Sequence, residues 1–376
     1  MAATIQGNER SGLNPQLLPF SVNTREQLLT DTRGSRVMIP DLQSMISHWP
    51  QRTNTDVERL DEYVEKALTC FSSLSNNEAR VRRLKATNVA FIAATWWPYA
   101  SYKALEVLTS LLLWLFAWDD ETDSPEFSAV INDWDKASTF RQRTTNYLQQ
   151  SLLKNSKSNL ANMSTDPINA LFGPVAEAIS ESCDDRQVGT FLDELLFYVK
   201  MCGEEQKLQV AHRLPTVEEY VRLRLGSGAV RVCFATIEYA YGITLSQKIM
   251  DDEAMQRIWH EANIIIHTTN DILSVKKEVA QSQVDSLVPL LALELGSMQA
   301  AMNHAVDIVR SSIQRFDTAA IEILERYATT PKVQEDIRKS IDACRYACTS
   351  NLNWSLVSGR YKLNCQSMEG GLYITL

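Results

Sequence analysis

The chain has 376 residues, enough for one large domain or two ordinary ones. Hydrophobic residues make up 45% and charged residues 22%, while Gly (13) and Pro (11) run at about half of average usage. That composition argues for a soluble globular protein with a full core, and against turn-rich all-β folds and long disordered linkers. The net charge of -9 argues against non-specific nucleic-acid binding, because phosphate affinity needs clustered cations. Seven cysteines (Cys70, Cys183, Cys202, Cys233, Cys344, Cys348 and Cys365) are odd in number and scattered, without a CxxC. They predict a reducing compartment with neither a disulfide framework nor a zinc site.

Residues 1–35 are polar and lack the apolar core of a secretion signal, so they read as a loosely ordered N-terminal extension of a cytoplasmic protein. From Asn54, a predicted helix cap, apolar residues recur at three- and four-residue spacing, as in Leu60, Val64 and Leu68. The longest uninterrupted apolar run, Leu111 to Trp118 (LLLWLFAW), is too short to span a bilayer. It reads as a buried helix segment or the apolar wall of a pocket, and no stable membrane insertion is expected. Helices are predicted near 101–122, 126–152, 167–183, 186–207, 216–242, 251–279, 284–326 and 332–357. Breakers fall at Trp97–Pro98, in the polar loop from Lys154 to Pro167, at Leu214–Pro215 and at Thr330–Pro331. No alternation of period two is evident, so strands are not expected. A single all-α domain is the simplest assembly, with a division at the 153–166 loop as the alternative.

The apolar run ends in Asp119-Asp120-Glu121-Thr122-Asp123. On a helix Asp119 and Asp123 lie about 40° apart on one face, while Asp120 points elsewhere. Four carboxylates in five residues repel one another, and nothing within the segment neutralises them. Hard cations such as Mg²⁺, which prefer oxygen ligands, would make the cluster reasonable. A solvated helix end is the plainer alternative.

A second segment reads Asn270-Asp271-Ile272-Leu273-Ser274-Val275-Lys276-Lys277-Glu278. Asn270, Ser274 and Glu278 follow i, i+4, i+8 and present amide, hydroxyl and carboxylate oxygens along one helix face. That set suits Mg²⁺ and not zinc. Lys277 projects to nearly the same side, where a cation makes sense if a phosphate lies over the metal. An ordinary polar stripe is the alternative, but this one follows the apolar Ile264-Ile265-Ile266, and a buried polar stripe needs partners.

The pair DDETD and NDILSVKKE resembles the signatures of class I terpene synthases, an aspartate-rich DDxxD/E motif and an NDxxSxxKE metal motif. Other family landmarks fall at matching spacing. Arg224 stands 46 residues before Asn270, at the place of the family's diphosphate-sensing arginine, with Ser227 and Gly228 at the linker and effector positions of a helix break. Arg360-Tyr361 follows Glu278 by about 80 residues, as the family's Arg-Tyr pair does. Trp354 and Phe116 fill two aromatic positions, six before Arg360 and three before Asp119. The resemblance covers roughly 36–361, leaving 362–376 as a C-terminal tail, and is strongest to sesquiterpene synthases of ascomycete fungi. Ser286 departs from it, since relatives often carry Asn there.

The resemblance implies a single helical bundle of the class I fold acting as a carbon-oxygen lyase on farnesyl diphosphate. It implies three Mg²⁺, one held by Asn270, Ser274 and Glu278 and two mainly by Asp119, with Asp123 or Asp120 assisting. Arg224, Lys277, Arg360 and Tyr361 would bind the diphosphate. The carbocation left behind needs a dry, aromatic-lined cavity. Phe116 and Trp354 are the leading candidates for that lining, followed by Phe91 and Trp96, against plain core packing for most tryptophans. The expected state is a monomer or homodimer. A diterpene cyclase using geranylgeranyl diphosphate, a chain-elongating prenyltransferase and a non-catalytic helical scaffold are the competing readings. The elongating enzyme would need a second aspartate-rich motif in place of NDILSVKKE. The scaffold would leave the landmarks as coincidence. Gly226-Ser227-Gly228 is not a dinucleotide fingerprint, since no strand precedes it. Asp251-Asp252-Glu253 and Asp184-Asp185 read as helix caps. The five histidines lack metalloprotease or triad spacing.

Overall fold

The computed structural model describes residues 22–75, 77–123, 128, 130–153, 166–363 and 365–376, with only the backbone of 22–24 and 123. Most of the 1–35 extension and of the 153–166 loop therefore lies outside the described residues. In chain order the elements are α1 (Val22–Thr32), β1 (Arg36–Ile39), α2 (Leu42–Met45), α3 (Val57–Ser75), α4 (Glu78–Ala86), α5 (Val89–Trp96) and α6 (Tyr102–Asp123). They continue as α7 (Trp134–Leu152), α8 (Pro167–Ala170), α9 (Gly173–Ser182), α10 (Asp185–Val210), α11 (Val217–Ser227), α12 (Val230–Phe234), α13 (Ile237–Tyr241) and α14 (Gln247–Met250). The last are α15 (Glu253–Ala280), α16 (Leu287–Leu295), α17 (Met298–Arg326), α18 (Pro331–Val357) and β2 (Leu372–Thr375).

The helix starts follow local chemistry. Asp184 and Gln187 form a reciprocal capping box on α10, and Thr216 with Glu219 does the same on α11, just after Pro215. Asp252 caps α15 by accepting from the Ala254 N–H, as its acidic flank predicts. Pro331 opens α18, where its missing N–H is no loss. α15 is the spine. It packs on α17 and α18 over most of its length, and on α16, α12 and α11 at its flanks. One continuous core runs from Leu28 to Ile374.

Four expectations need correction. Strands are present: β1 and β2 pair antiparallel, Arg36 opposite Thr375 and Ile39 opposite Leu372, so residues from the two ends of the chain meet in one ribbon beside α17. A four-residue strand has too few positions for alternation to show. The predicted helix 216–242 is three helices. Its first break is held open because Asn263 of α15 donates to the Leu225 carbonyl at 2.8 Å, removing it from the helical ladder. The predicted helix 284–326 is divided at Gly296, which takes φ +70°, ends α16 and is followed by the Ser297 cap of α17. Asn54 does not cap α3. It is buried, and its amide donates to the carbonyls of Pro98 and Ala100, pinning the turn between α5 and α6.

Candidate active site

The apolar run of α6 serves both of its predicted uses. Trp114 and Trp118 are fully buried in the core, ringed by Phe172 and Tyr198, with the Trp118 indole donating to Thr144 Oγ1 at 3.1 Å. The opposite face, with Leu112, Leu115 and Phe116, walls a cavity completed by Ile92 and Trp96 of α5, Cys233 of α12, Ile266 of α15 and Trp354 of α18. The cavity measures about 150 Å³, or about 800 Å³ when the open solvent at its mouth is counted. An outer polar basin is lined by Glu205, Tyr220, Asp271, Ser274, Lys277, Glu278, Asp285 and Ser286. Asp119, Arg224, Asn270, Arg360 and Tyr361 border both spaces. The rim between the inner cavity and the charged mouth is thus built from four separate parts of the chain.

Contacts across the rim are dense. Arg360 Nη2 lies 3.2 Å from Asp119 Oδ2, and its guanidinium stands 5.2 Å over the Phe116 ring. Arg224 Nη2 donates to Asn270 Oδ1 at 3.0 Å, and Asn270 Nδ2 donates to the Tyr361 hydroxyl at 2.6 Å. Ser274 Oγ donates to Glu278 Oε1 at 2.6 Å, and Ser286 Oγ to Glu278 Oε2 at 2.6 Å, so the departure at 286 still orients the glutamate. Lys277 Nζ lies 6.0 Å over the Tyr361 ring. The structure therefore brings Asp119, Asn270, Ser274, Glu278, Arg224, Lys277, Arg360 and Tyr361 to one mouth. Asp123 ends α6, and its side chain lies outside the described residues.

Asp120 is corrected. Its side chain is wholly buried, 2.9 Å from Arg83 of α4 and 3.6 Å from Arg360. Glu121 pairs with Arg80, one turn earlier on α4. Half of the acidic cluster is thus neutralised by arginines from another helix, and Asp119 alone of these three faces the cavity. Phe91 is also corrected. It does not line the cavity, because Ile92 and Trp96 share one helix face and Phe91 lies about 100° from Ile92. Trp96, Phe116 and Trp354 do line it. Phe116 and Trp354 lie 5.7 Å apart, and the Trp354 indole donates to the Thr87 carbonyl at 2.6 Å, which fixes its plane.

Ser227 and Gly228 border the cavity at the α11–α12 break, where Ser227 Oγ donates to Glu205. The left-handed residue there is Ala229, with φ 56°, while Gly228 has φ -68°. Close packing explains Gly226: a Cβ there would lie 2.3 Å from Met201 Cγ and 2.8 Å from Phe197 Cε1 of α10. Burial works against the Arg224 cation, yet Tyr220, Asp271, Glu205 and Asp119 together hold it well above its usual value. Burial pushes the carboxyls of Glu205 and Asp271 up against that arginine, and Tyr220 donates to Asp271 at 2.7 Å.

Sequence reasoning missed Arg80, Arg83, Glu205, Tyr220, His267 and Asn351. His267 and Tyr220 had local signals, standing three residues before Asn270 and four before Arg224 and hence near the same helix faces. Among the described residues no three of His, Cys, Asp and Glu converge on a metal position. The rim and basin instead offer the oxygens of Asp119, Asn270, Ser274 and Glu278, a donor set that fits a hard divalent cation. No described helix is long and apolar enough to cross a membrane.

Comparison with known proteins agrees with this geometry. The chain is 29% identical over 364 residues to the sesquiterpene cyclase hepA of Aspergillus oryzae, covering 94% of this chain and 97% of that one. It is 25% identical to the terpene cyclase braA of Annulohypoxylon truncatum, covering 90% of each. The linalool/nerolidol synthase of Streptomyces clavuligerus, solved with 2-fluorogeranyl diphosphate, superposes with a TM-score of 0.70 at 19% identity, covering 83% of this chain and 98% of that one. Germacradien-4-ol synthase of Streptomyces citricolor gives 0.69 at 17%, covering 81% and 95%. These two share the all-α class I fold. Residues 110–315, which hold Asp119, Arg224, Asn270, Ser274 and Glu278, match the model of terpene synthase family 2, C-terminal metal binding, so the chain uses a divalent metal. Because that match spans more than half of the chain, the protein belongs to terpene synthase family 2.

Proposed function

We propose that the chain ionises farnesyl diphosphate to an allylic cation, cyclises it in the inner cavity and releases diphosphate, with three Mg²⁺ at the mouth. The observation that carries this reading is the shared rim. Anion-binding groups (Arg224, Arg360, Tyr361) and cation-binding groups (Asp119, Asn270) stand where a charged head in the basin would join an apolar tail in the cavity. Fifteen carbons are favoured because relatives covering most of this chain, from Aspergillus oryzae and Cyclocybe aegerita, are named sesquiterpene cyclase and sesquiterpene synthase.

In this reading Asn270, Ser274 and Glu278 hold one ion, and Asp119 with Asp123 holds the others. When bound, the metal supplies concentrated positive charge to the departing diphosphate, about several kcal/mol of transition-state stabilisation. Arg224, Lys277 and Arg360 direct N–H donors to the same anion, and Tyr361 donates its hydroxyl. Arg224 already holds Asn270 and Arg360 already holds Asp119, so the anion-binding groups stand one hydrogen bond from the metal ligands. Ser227 and Gly228 expose backbone at the helix break, where a carbonyl dipole would steer ionisation. Phe116, Trp96 and Trp354 present ring faces to the cation, each worth about 0.5–2 kcal/mol, and the apolar wall excludes water.

The test is diphosphate release from farnesyl diphosphate with Mg²⁺, abolished by EDTA and reduced by orders of magnitude in Asn270→Ala/Ser274→Ala with the helical circular dichroism retained. Wild-type turnover in that double variant would remove the ligand assignment. Mass spectrometry of products from ten-, fifteen- and twenty-carbon diphosphates decides chain length. A requirement for isopentenyl diphosphate would mark an elongating enzyme instead.

A further inference from the structure

Among the described residues that line the inner cavity, one side chain has two buried polar atoms without a good hydrogen bond. His267 sits on α15, three residues before Asn270 and therefore about 4.5 Å deeper along the helix. It forms part of the cavity wall and is 2% exposed, and both of its ring nitrogens are buried without a hydrogen bond of good geometry, the Asn263 carbonyl offering only a weak contact. The imidazole lies against the α11–α12 break, where a Cβ on Gly228 would stand 3.9 Å from its own Cβ. Buried polar groups normally find good partners, so an imidazole with only one weak contact next to a chamber points to the contents of that chamber.

Resting on the reading above, we propose that His267 is the base that ends the reaction by taking a proton from the cyclised cation. The C–H bond beside the cationic carbon breaks, its electron pair becomes the new C=C bond, and the proton moves to the imidazole lone pair. The imidazolium passes its proton to water or diphosphate once the hydrocarbon leaves. Burial, reinforced by Arg224 and His260, pulls this histidine down to about 3, against weak support from the Asn263 carbonyl. The ring is therefore neutral before the reaction, keeps a lone pair and does not repel a cation. The other uncharged polar groups deep in the wall are poorer acceptors. Burial pushes the Cys233 thiol up to about 12, so it stays protonated. Asn351 uses its amide nitrogen to donate to the Ile266 carbonyl at 3.2 Å and offers only a weakly basic oxygen. The Tyr198 hydroxyl is weaker still as a base.

The experiment uses the full chain with Mg²⁺ and farnesyl diphosphate, and measures diphosphate release and volatile products in the same samples. His267→Phe and His267→Leu remove the lone pair, and His267→Gln keeps an acceptor at similar reach. The wild-type product formed per diphosphate released is expected to fall at least tenfold in His267→Phe and His267→Leu. Products of other deprotonations or of water capture take its place, while His267→Gln, which keeps a weaker acceptor at similar reach, retains part of the wild-type product. If His267→Phe does not fold by circular dichroism, His267→Leu is judged by the same criterion. An unchanged product ratio in the apolar variants assigns the proton to the diphosphate and overturns the proposal. The same altered mixture in all three variants makes the effect one of cavity shape and overturns it too. If the wild type releases no diphosphate, the sesquiterpene reading itself fails and takes this inference with it.

Discussion

Removing Arg83 isolates the support beneath the acidic motif. Asp120 has no solvent exposure, Arg83 lies 2.9 Å away and Arg360 is the more distant cation at 3.6 Å. Arg83→Met keeps the aliphatic bulk and leaves a buried carboxylate with one distant cation. Breaking a buried pair from one side costs about 3–5 kcal/mol. The Arg83 side chain is 18% exposed, which admits some water, so the lower end, about 3 kcal/mol, is the expected loss. In a chain of this size that lowers Tm by roughly 4 °C. Activity falls as well, because Asp120 left short of charge draws Arg360 away from Asp119. A misplacement of about 1 Å at such a site costs on the order of 100-fold in kcat/KM. The assay is a double-mutant cycle read by thermal unfolding and by diphosphate release. Asp120→Asn added to Arg83→Met removes the uncompensated charge, so the double variant is expected within about 1 kcal/mol of Asp120→Asn alone. Additive losses, with coupling under about 0.5 kcal/mol, would show that the two groups do not act as a pair and refute the reasoning.

Phe116→Ala opens the cavity beside Arg360 and Trp354 and is expected to change the product mixture more than KM. An unchanged product spectrum by gas chromatography would make Phe116 a packing residue only. Gly226→Ala places a methyl group against Met201 and Phe197 and is expected to destabilise by about 1–3 kcal/mol in a thermal melt. No change in Tm would mean that α10 and α11 separate freely. Binding of Mg²⁺ with inorganic diphosphate is expected to slow hydrogen exchange at 224–228 and 360–361, because those segments supply the rim. Identical exchange with and without the two would count against closure of the mouth.

Much of the fold was legible because its boundaries are local. The Asp184, Thr216 and Asp252 caps and the Pro331 start lie within a few residues of the helices they open. The breaks inside 216–242 were not legible, since the Leu225 carbonyl is claimed by Asn263 from another helix. Nor was the β1–β2 ribbon, whose strands are joined only by tertiary structure across nearly the whole chain.

The site divides the same way. The oxygens proposed to face the metal were visible because Asn270, Ser274 and Glu278 repeat at the helical period and set an amide, a hydroxyl and a carboxylate on one stripe. The counter-charges were not, and electrostatics gives the reason. A carboxylate cluster states in sequence that positive charge must be near, but not whether the cation is an ion or an arginine. At Asp120 and Glu121 the arginines of α4 supply it. At Asp119 Arg360 does so by contact across the rim, with Arg224 acting from farther off, and the carboxylate keeps about a third of its surface open. That asymmetry separates the structural carboxylates from the one able to take a metal. Burying Asp120 between two arginines fixes the end of α6, and a fixed helix end lets Asp119 meet Asn270 at the same mouth. Charge pairing inside the wall thus positions the charge that remains available outside it.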